Sequence, residues 1–295
     1  ACSHLRGELF CNCNWKGVCI LYQKKWEPRP KRWRNIDLPV RLEVETSILE
    51  QVEIADKTYR LSLKVSDELA SQLYNPGSFI FMRQSLDHEF CQFPVGVMDV
   101  NGNVIIVVIE AVGPKSSRII AENKKILVRG PYFNGILGQP WVDNIKESKI
   151  LLIAGGIGQA PSLPIAKRLI NNNNNVTALL APGRLGRIFI SKDLENLGVK
   201  VITVESLRRT GLEILGNLCN SLAPFDLVVS AGPDDQHYAI IATLHDAGVN
   251  IPMAATNNAT MCCGEGMCGS CEKETVDLKT VRMCKVQTMF KNIMK

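Results

Sequence analysis

The chain has 295 residues, of which 46% are hydrophobic and 21% charged, and a net charge of +5. This length is enough for about two domains, and the composition is that of an ordinary globular protein rather than a disordered or fibrous one. No apolar run approaches the ~18 residues that a membrane span needs, and no secretory signal is visible. We therefore expect a cytoplasmic protein whose eleven cysteines serve metal binding rather than disulfides.

Residues 1–36 are predicted to form a cysteine-rich arm that ends in a basic linker. Four thiols within eighteen residues predict a thiolate-bound metal, either an additional iron–sulfur cluster or zinc. These thiols belong to Cys2, Cys11, Cys13 and Cys19. The basic stretch Lys24–Arg34 also contains two tryptophans. With so few clustered charges, it indicates a linker or a surface that docks on a partner rather than a nucleic-acid site.

Residues 37–145 have the pattern of an antiparallel β-barrel. Alternating apolar runs such as Tyr59–Val65, Ser78–Met82 and Val104–Ile109 are separated by turn signals at Asn75–Gly77 and Asn101–Gly102. About six short strands at this spacing predict a small closed sheet.

Residues 146–255 change to an alternation of strands and helices. Lys149–Ala154 is a continuous apolar run, as expected of a buried parallel strand. The strand patterns Val176–Leu180, Val199–Val204 and Asp226–Ser230 follow, with helical patterns between them. This alternation predicts a doubly wound parallel sheet.

A glycine-rich turn at Gly155–Pro161 joins the first of these strands to a helix. Glycines there let backbone N–H groups approach a pyrophosphate at a helix N-terminus, and Gly232 ends a second strand at the same edge of the sheet. This context predicts a pyridine nucleotide, with tight packing of strand on helix as the alternative. Arg184 and Arg187 follow the next strand, where the 2′-phosphate of NADP would lie, unless they are solvated surface arginines.

Residues 256–295 carry the most specific motif of the chain. Four cysteines have the spacing C-x4-C-x2-C-x12-C, namely Cys263, Cys268, Cys271 and Cys284. The first three follow the plant-type [2Fe–2S] spacing, whereas structural zinc sites usually show paired C-x2-C knuckles. Gly264, Gly266 and Gly269 allow the tight curl that a loop around a cluster requires. We expect a [2Fe–2S] cluster here, with zinc as the alternative.

Taken in order, the barrel, the Gly-Gly-x-Gly-x-Ala-Pro turn and the C-terminal cysteine run resemble the ferredoxin-reductase-type electron-transfer subunits of the dihydroorotate dehydrogenase B group. This family includes the small subunits of sulfide dehydrogenase and of the electron-bifurcating NADH-dependent ferredoxin:NADP oxidoreductase. The resemblance covers roughly residues 38–290. It implies FAD on the barrel, NAD(P)H at the α/β domain and a cluster on the four C-terminal cysteines, with Cys262 outside the ligand set. The implied nucleotide turn is Gly155, Gly156, Gly158, Ala160 and Pro161.

The same resemblance assigns flavin binding to two segments of the barrel. The first, Cys91–Val97, keeps the family's proline and branched apolar residue but lacks its arginine and its hydroxyl residue. The second, Val112–Arg118, resembles the Gly-x-x-Thr/Ser segment that binds the FAD pyrophosphate, and its lysine would replace the lost positive charge. The implied flavin-binding residues are Pro94, Val95, Gly96, Gly113, Lys115, Ser116 and Ser117.

These features predict an NAD(P)H oxidoreductase subunit that passes electrons between a pyridine nucleotide, FAD and a [2Fe–2S] cluster. The electrons would pass to or from a larger partner subunit that contains flavin or iron–sulfur centres. A flavin is the adaptor between hydride and one-electron chemistry, and no separate catalytic residues are expected. The alternative is a cluster-carrying assembly or redox-sensing subunit without a catalytic flavin, which the missing arginine favours.

Overall fold

The first domain of the fold is a closed antiparallel barrel of six strands, as the sequence predicts. The computed structural model describes residues 41, 43–122, 125–219 and 225–294. Around the barrel the strand order is β1-β2-β5-β4-β3-β6. The strands are β1 Glu43–Ala55, β2 Thr58–Lys64, β3 Phe79–Gln84, β4 Phe93–Asn101, β5 Val104–Glu110 and β6 Lys125–Tyr132. Two helices accompany them, α1 Asp67–Leu73 and α2 Pro114–Glu122.

Alternation of side chains along the strands fills the interior of the barrel. β2 and β5 pair antiparallel, and every second residue of each points inward. Leu61 and Leu63 on β2 and Ile105 and Val107 on β5 are therefore fully buried. Gly102 takes a positive φ of 58° in the turn between β4 and β5, which is where the sequence predicts a tight turn.

The second domain is a six-stranded sheet with the order β10-β9-β8-β11-β12-β7. Five strands are parallel, and β7 pairs antiparallel with β12 at the edge. The strands are β7 Ile136–Leu137, β8 Lys149–Gly155, β9 Asn175–Ala181, β10 Lys200–Thr203, β11 Leu227–Ala231 and β12 Met253–Thr256. The helices are α3 Gln139–Asn144, α4 Gln159–Asn171, α5 Ser191–Asn196, α6 Leu212–Cys219 and α7 Asp234–Asp246. None of the helices in the described ranges is long and apolar enough to cross a membrane.

The edge strand β7 belongs to a different domain from the one that the sequence predicts. It lies within the segment 37–145 that the sequence assigns to the barrel, yet it pairs with β12 of the parallel sheet through Leu137 and Ala255. Two residues carry no periodicity, so no sequence pattern could assign them to a sheet. The buried strand β8 agrees with its apolar run, because the residues from Ile150 to Ala154 are almost completely inaccessible.

The C-terminal segment is held in the junction between the domains by buried amide side chains. Gln287 donates to the carbonyl of Ile136 at 2.7 Å and accepts from the amide of Gly138 at 3.1 Å. Asn134 donates to the carbonyl of Val286 at 2.8 Å. Buried polar groups satisfied in this way fix a segment in one position. The segment also forms a small hairpin from β13 Glu272–Glu274 and β14 Thr280–Arg282.

Candidate cofactor cleft and cysteine loop

A cleft of about 1110 Å³ lies between the barrel and the carboxyl edge of the parallel sheet. Its barrel wall comes from β3, β4 and β5, and its opposite wall from the turn after β8 and the ends of β9 and β11. The sequence-predicted residues that line it are Pro94, Val95, Gly96, Ser116, Gly155, Gly156, Gly158, Ala160, Pro161, Arg184 and Gly232. The structure thus brings the predicted flavin strand and the predicted nucleotide turn around one space.

Four of the predicted nucleotide- and flavin-binding residues do not line this cleft. The ammonium of Lys115 donates to the carbonyls of Phe90 and Gln92, at 2.8 and 3.2 Å. The guanidinium of Arg187 donates to the carbonyl of Ile54 at 2.9 Å. Both charges are therefore directed to main-chain oxygens rather than to the cleft. The residues outside the lining are Gly113, Lys115, Ser117 and Arg187.

Two positions of the predicted nucleotide turn require glycine for different physical reasons. Gly156 has a positive φ of 57°, and a Cβ added to it would meet nothing nearer than the amide nitrogen of Arg184 at 3.9 Å. A Cβ added to Gly158 would lie 2.3 Å from the carbonyl oxygen of Ala231. Gly158 is thus required by the close approach of two strand ends. Gly156 instead leaves open space before the N-terminus of α4, which is where a phosphate would bind.

The charge that lines the cleft is mostly negative. In the described ranges its charged residues are Glu110, Arg184, Glu205, Arg208, Asp234 and Asp235. Each arginine is paired, Arg184 with Glu110 at 2.7 Å and Arg208 with Asp235 at 3.2 Å. Four carboxylates against two paired arginines disfavour a ligand with an additional phosphate.

A buried polar network behind the cleft was not predicted from the sequence. His237 on α7 contacts the hydroxyl of Ser230 at 2.7 Å and the carbonyl of Thr256 at 3.1 Å. Its ring also lies 3.2 Å from the side-chain amide of Asn258. Burial lowers the pKa of His237 to about 4. Thr256 and Asn258 line the cleft. Their position directly at the carboxyl end of a parallel strand was the signal that could have identified them.

The four C-terminal cysteines come together as two pairs. The side chains of Cys263 and Cys268 are hydrogen-bonded to each other, and so are those of Cys271 and Cys284. Within the described residues, no group of three or more His, Cys, Asp or Glu could hold a single metal ion. Two pairs fit a two-iron cluster, in which each iron takes two protein ligands, better than one tetrahedral zinc ion.

Backbone amides of the loop point at the cysteine sulfurs. The N–H of Glu265 donates to Sγ of Cys263 at 3.3 Å, and the N–H of Cys284 donates to Sγ of Cys271 at 3.5 Å. The N–H of Gly266, which has a positive φ of 71°, donates to Cys284. Such bonds stabilise thiolates and, in iron–sulfur sites, tune the reduction potential.

The same contacts shift the acidity of the thiols. A hydrogen bond from Cys284 brings the pKa of Cys271 to about 6. Burial raises the pKa of Cys268, but hydrogen bonds from Ser270 and Cys263 lower it more, to about 7. The hydrogen bond to Cys271, and then burial, raise the pKa of Cys284. One thiolate in each pair is thus favoured near neutral pH, and the thiolate is the form that binds metal.

One layer of aromatic side chains separates the cleft from the loop that carries Cys263, Cys268 and Cys271. Phe79 lines the cleft, and its ring stacks on that of Tyr132 with centroids 5.1 Å apart. A Cβ added to Gly264 would lie 2.6 Å from the ring of Tyr132 and 2.8 Å from that of Phe81. Met261, two residues before the predicted ligand Cys263, also lines the cleft. The predicted flavin site and the predicted cluster site are therefore neighbours.

The predicted metal ligands of the N-terminal arm lie outside the described residues. These are Cys2, Cys11, Cys13 and Cys19. The basic stretch Lys24–Arg34 lies outside them as well.

The closed barrel, the parallel sheet and the cleft between them define a ferredoxin-reductase-type fold. The chain superposes on the NADH-dependent reduced ferredoxin-NADP oxidoreductase structure with a TM-score of 0.68 and 22% identity, over 84% of this chain and 89% of that one. The ferredoxin reductase in carbazole 1,9a-dioxygenase gives a TM-score of 0.54 and 16% identity, over 73% and 69%. The predicted fold class is confirmed.

Sequence comparison leads to a particular group of relatives. A Methanopyrus kandleri protein named probable dihydroorotate dehydrogenase B (NAD(+)), electron transfer subunit, is 29% identical over 238 residues, which are 77% of this chain and 84% of that protein. The Clostridium acetobutylicum dihydroorotate dehydrogenase B (NAD(+)), electron transfer subunit, is 26% identical over 82% of this chain and 93% of that protein. No protein-family model matches the chain. The predicted resemblance to dihydroorotate dehydrogenase B electron transfer subunits is confirmed.

Proposed function

We propose that this chain is the electron-transfer subunit of an NAD(P)H-dependent oxidoreductase. It would pass electrons between a pyridine nucleotide, FAD and a [2Fe–2S] cluster, to or from a partner subunit. The observation that carries the proposal is the shared cleft, which residues of β4 and of the turn after β8 line together. The cysteine loop begins at the rim of that cleft with Met261. The names of the curated relatives support the same role.

The nucleotide would bind at the N-terminus of α4. Backbone N–H groups there can hold its pyrophosphate, and Gly156 keeps the space before them open. The excess of carboxylates in the cleft opposes a 2′-phosphate, so NADH is the proposed donor rather than NADPH. The relatives, which are named for NAD(+), support this choice.

FAD would lie against the barrel wall of the cleft. Phe79, Val95 and Ile109 supply apolar surface there, and a Cβ added to Gly96 would meet nothing within 4 Å, so the strand leaves room for a ring. The hydroxyl of Ser116, in the first turn of α2, donates to the carbonyl of Gly113 at 3.3 Å, and it could turn to a phosphate oxygen instead. When bound, the flavin would supply the conversion between two-electron and one-electron transfer. The residues that line the cleft would hold the nicotinamide in place.

The cluster would be held by the two cysteine pairs. The loop supplies thiols whose pKa is lowered in Cys268 and Cys271, together with amide donors, and the rings of Phe79 and Tyr132 pack between the loop and the cleft. A short separation favours one-electron transfer between two centres. The sulfurs of Cys263, Cys268, Cys271 and Cys284 are the proposed ligands.

A cluster-carrying assembly or redox-sensing subunit without flavin is the second candidate. Phe93 lines the cleft where the family has an arginine, and Lys115 is turned away to main-chain carbonyls. Within the described residues, no basic side chain of the barrel lines the cleft. A flavin pyrophosphate would thus depend on hydroxyl and backbone donors.

The absorbance spectrum of the reconstituted, purified chain decides between the two candidates. Flavin bands that bleach on anaerobic addition of NADH, together with the EPR signal of a reduced cluster, are expected from the electron-transfer subunit. Cluster bands alone, unchanged by NADH, would contradict it and favour the second candidate. A chain that binds neither group after reconstitution would contradict both.

A further inference from the structure

Arg129 on β6 is a cation beside the cysteine loop that lacks a balancing anion. Its guanidinium donates to the carbonyl oxygen of Cys263 at 3.2 Å. Its Nε is buried and has no hydrogen-bond partner among the described residues. None of the ion pairs in that part of the chain includes Arg129.

The neighbouring cations are arranged differently. Arg41 and Lys285 both bind the carboxylate of Glu265, the lysine at 3.3 Å. The charge of Glu265 is thus balanced by two cations. The carboxylate nearest to Arg129 in the sheet belongs to Glu43, directly opposite on β1, and Arg83 binds it at 2.5 Å. Among the described residues, Arg129 is therefore the guanidinium at this loop that forms no ion pair.

A partly buried guanidinium without an anion is costly. Four cysteine thiolates around an iron–sulfur cluster form an anionic group, and one-electron reduction adds one more negative charge to it. A fixed positive charge nearby stabilises the reduced form more than the oxidised form. The arginine keeps its charge at any working pH. The rings of Phe81 and Tyr132, 5.3 and 5.8 Å from its Cζ, hold it in place.

We infer that Arg129 raises the reduction potential of the cluster held at this loop. It thereby determines how readily the loop takes an electron from the cleft side. This inference rests on the proposed function, because it presupposes that the four cysteines hold a redox cluster. Arg129 acts through the loop rather than on a reacting atom, so it is a positioning and tuning residue.

A redox titration followed by EPR tests the inference on the complete chain carrying Arg129→Gln. Removing the charge is expected to lower the equilibrium constant for cluster reduction by about tenfold, which for a one-electron couple is about 59 mV. Iron content and the absorbance of the oxidised cluster should not change. Lys125→Gln is the matched control, because Lys125 lies on the same strand, is exposed and pairs with Glu45 at 2.7 Å. It should leave the potential unchanged.

Equal potentials in Arg129→Gln and Lys125→Gln would overturn the inference. If Arg129→Gln fails to take up iron, Arg129→Lys decides, since it keeps the charge but loses the planar fork. An equilibrium constant for cluster reduction in Arg129→Lys that is within about threefold of the wild-type value supports charge tuning. A larger change, or loss of the cluster in both variants, would make Arg129 a structural anchor and overturn the inference too. Absence of a [2Fe–2S] signal in the wild-type chain would instead refute the proposed function before any variant is compared.

Discussion

At the scale of single residues, substitutions in the cysteine loop can distinguish thiols that are proposed to bind the cluster from those that are not. Cys262 and Cys268 are both exposed, but Cys268 is hydrogen-bonded to another predicted ligand, Cys263. Cys268→Ser is expected to abolish the [2Fe–2S] absorbance and EPR signal, because the loop would then supply only three thiolates. Cys262→Ser should keep both signals and the iron content. If Cys262 proved essential and Cys263 dispensable, the proposed ligand set would be wrong.

Two glycines of the nucleotide turn should respond differently to the same substitution. Gly156→Ala is expected to raise KM for NADH about tenfold, because the methyl group and a strained positive φ disturb the phosphate position. Gly158→Ala should lower the free energy of unfolding by about 1–3 kcal/mol, because its Cβ would collide with the carbonyl of Ala231. Steady-state kinetics and denaturant unfolding measure the two effects. An unchanged KM in Gly156→Ala would place the nucleotide elsewhere.

The ion pair between Glu110 and Arg184 spans the cleft from the barrel to the α/β domain. The arginine side chain is 78% exposed, so the pair adds little stability, but it keeps the arginine from binding a phosphate. Glu110→Gln is expected to raise kcat/KM for NADPH relative to NADH about tenfold, since it removes a negative charge and releases Arg184. Arg187→Gln is the control and should leave the ratio unchanged, because that side chain binds the carbonyl of Ile54. The proposed nucleotide position would be contradicted if Glu110→Gln had no effect on the ratio.

At the scale of secondary-structure elements, the sequence patterns predicted several strands in which burial imposes a period, but they did not single out β6 or β12. The run Val104–Ile109 lies in β5 and the run Lys149–Ala154 in β8, because a half-buried strand alternates and a fully buried one is continuously apolar. The glycine turn could be placed at a strand end because it directly follows the apolar run of β8. The direction of Lys115 could not be predicted, because it is set by the carbonyl of Phe90, 25 residues away in the chain. Contacts between distant elements leave no local pattern.

Helix α7 is attached to the ends of β11 and β12 by a buried histidine whose protonation should affect stability. The folded pKa of His237 is about 4, below its ordinary value of 6.5. The stabilisation is therefore fully present above about pH 6.5 and is lost as the pH falls towards 4, by at most about 3 kcal/mol. Denaturant unfolding across this pH range measures it. His237→Gln should remove this part of the pH dependence, whereas His245→Gln, an exposed histidine on the same helix, should retain it. Identical pH profiles for the two variants would contradict this role.

At the scale of the whole molecule, the order of the parts would let one chain combine the three groups of the proposed function. The parallel sheet and the barrel contribute opposite walls of one cleft, and the C-terminal segment packs in their junction. Phe79 belongs to the cleft, while Tyr132 packs against the loop. The sites that the proposed function requires are thus adjacent in space although they are far apart in the sequence.

The exposed side of the cysteine loop is where an electron partner would have to meet this chain. Met267 and Cys268 are exposed there. Phe90, which is 75% exposed, adjoins the loop because Gln92 donates to the carbonyl of Cys262 at 2.8 Å. Aromatic side chains are enriched in protein interfaces, and Phe90 would lie beside the proposed cluster. Under the proposed function, the partner is a larger subunit with a second flavin or further iron–sulfur clusters.

Native mass spectrometry of the chain isolated from its own cells is expected to show it bound to such a redox subunit. Phe90→Glu should weaken this complex at least about tenfold, while the isolated chain still reduces artificial dyes with NADH at the wild-type rate. Tyr74→Glu, which changes another exposed aromatic residue at the end of α1, is the control and should leave the complex intact. Because a one-electron centre at the surface needs an acceptor, the chain alone should turn over no metabolite. A monomer that is fully active on a metabolite without a partner would contradict the proposed role as a subunit.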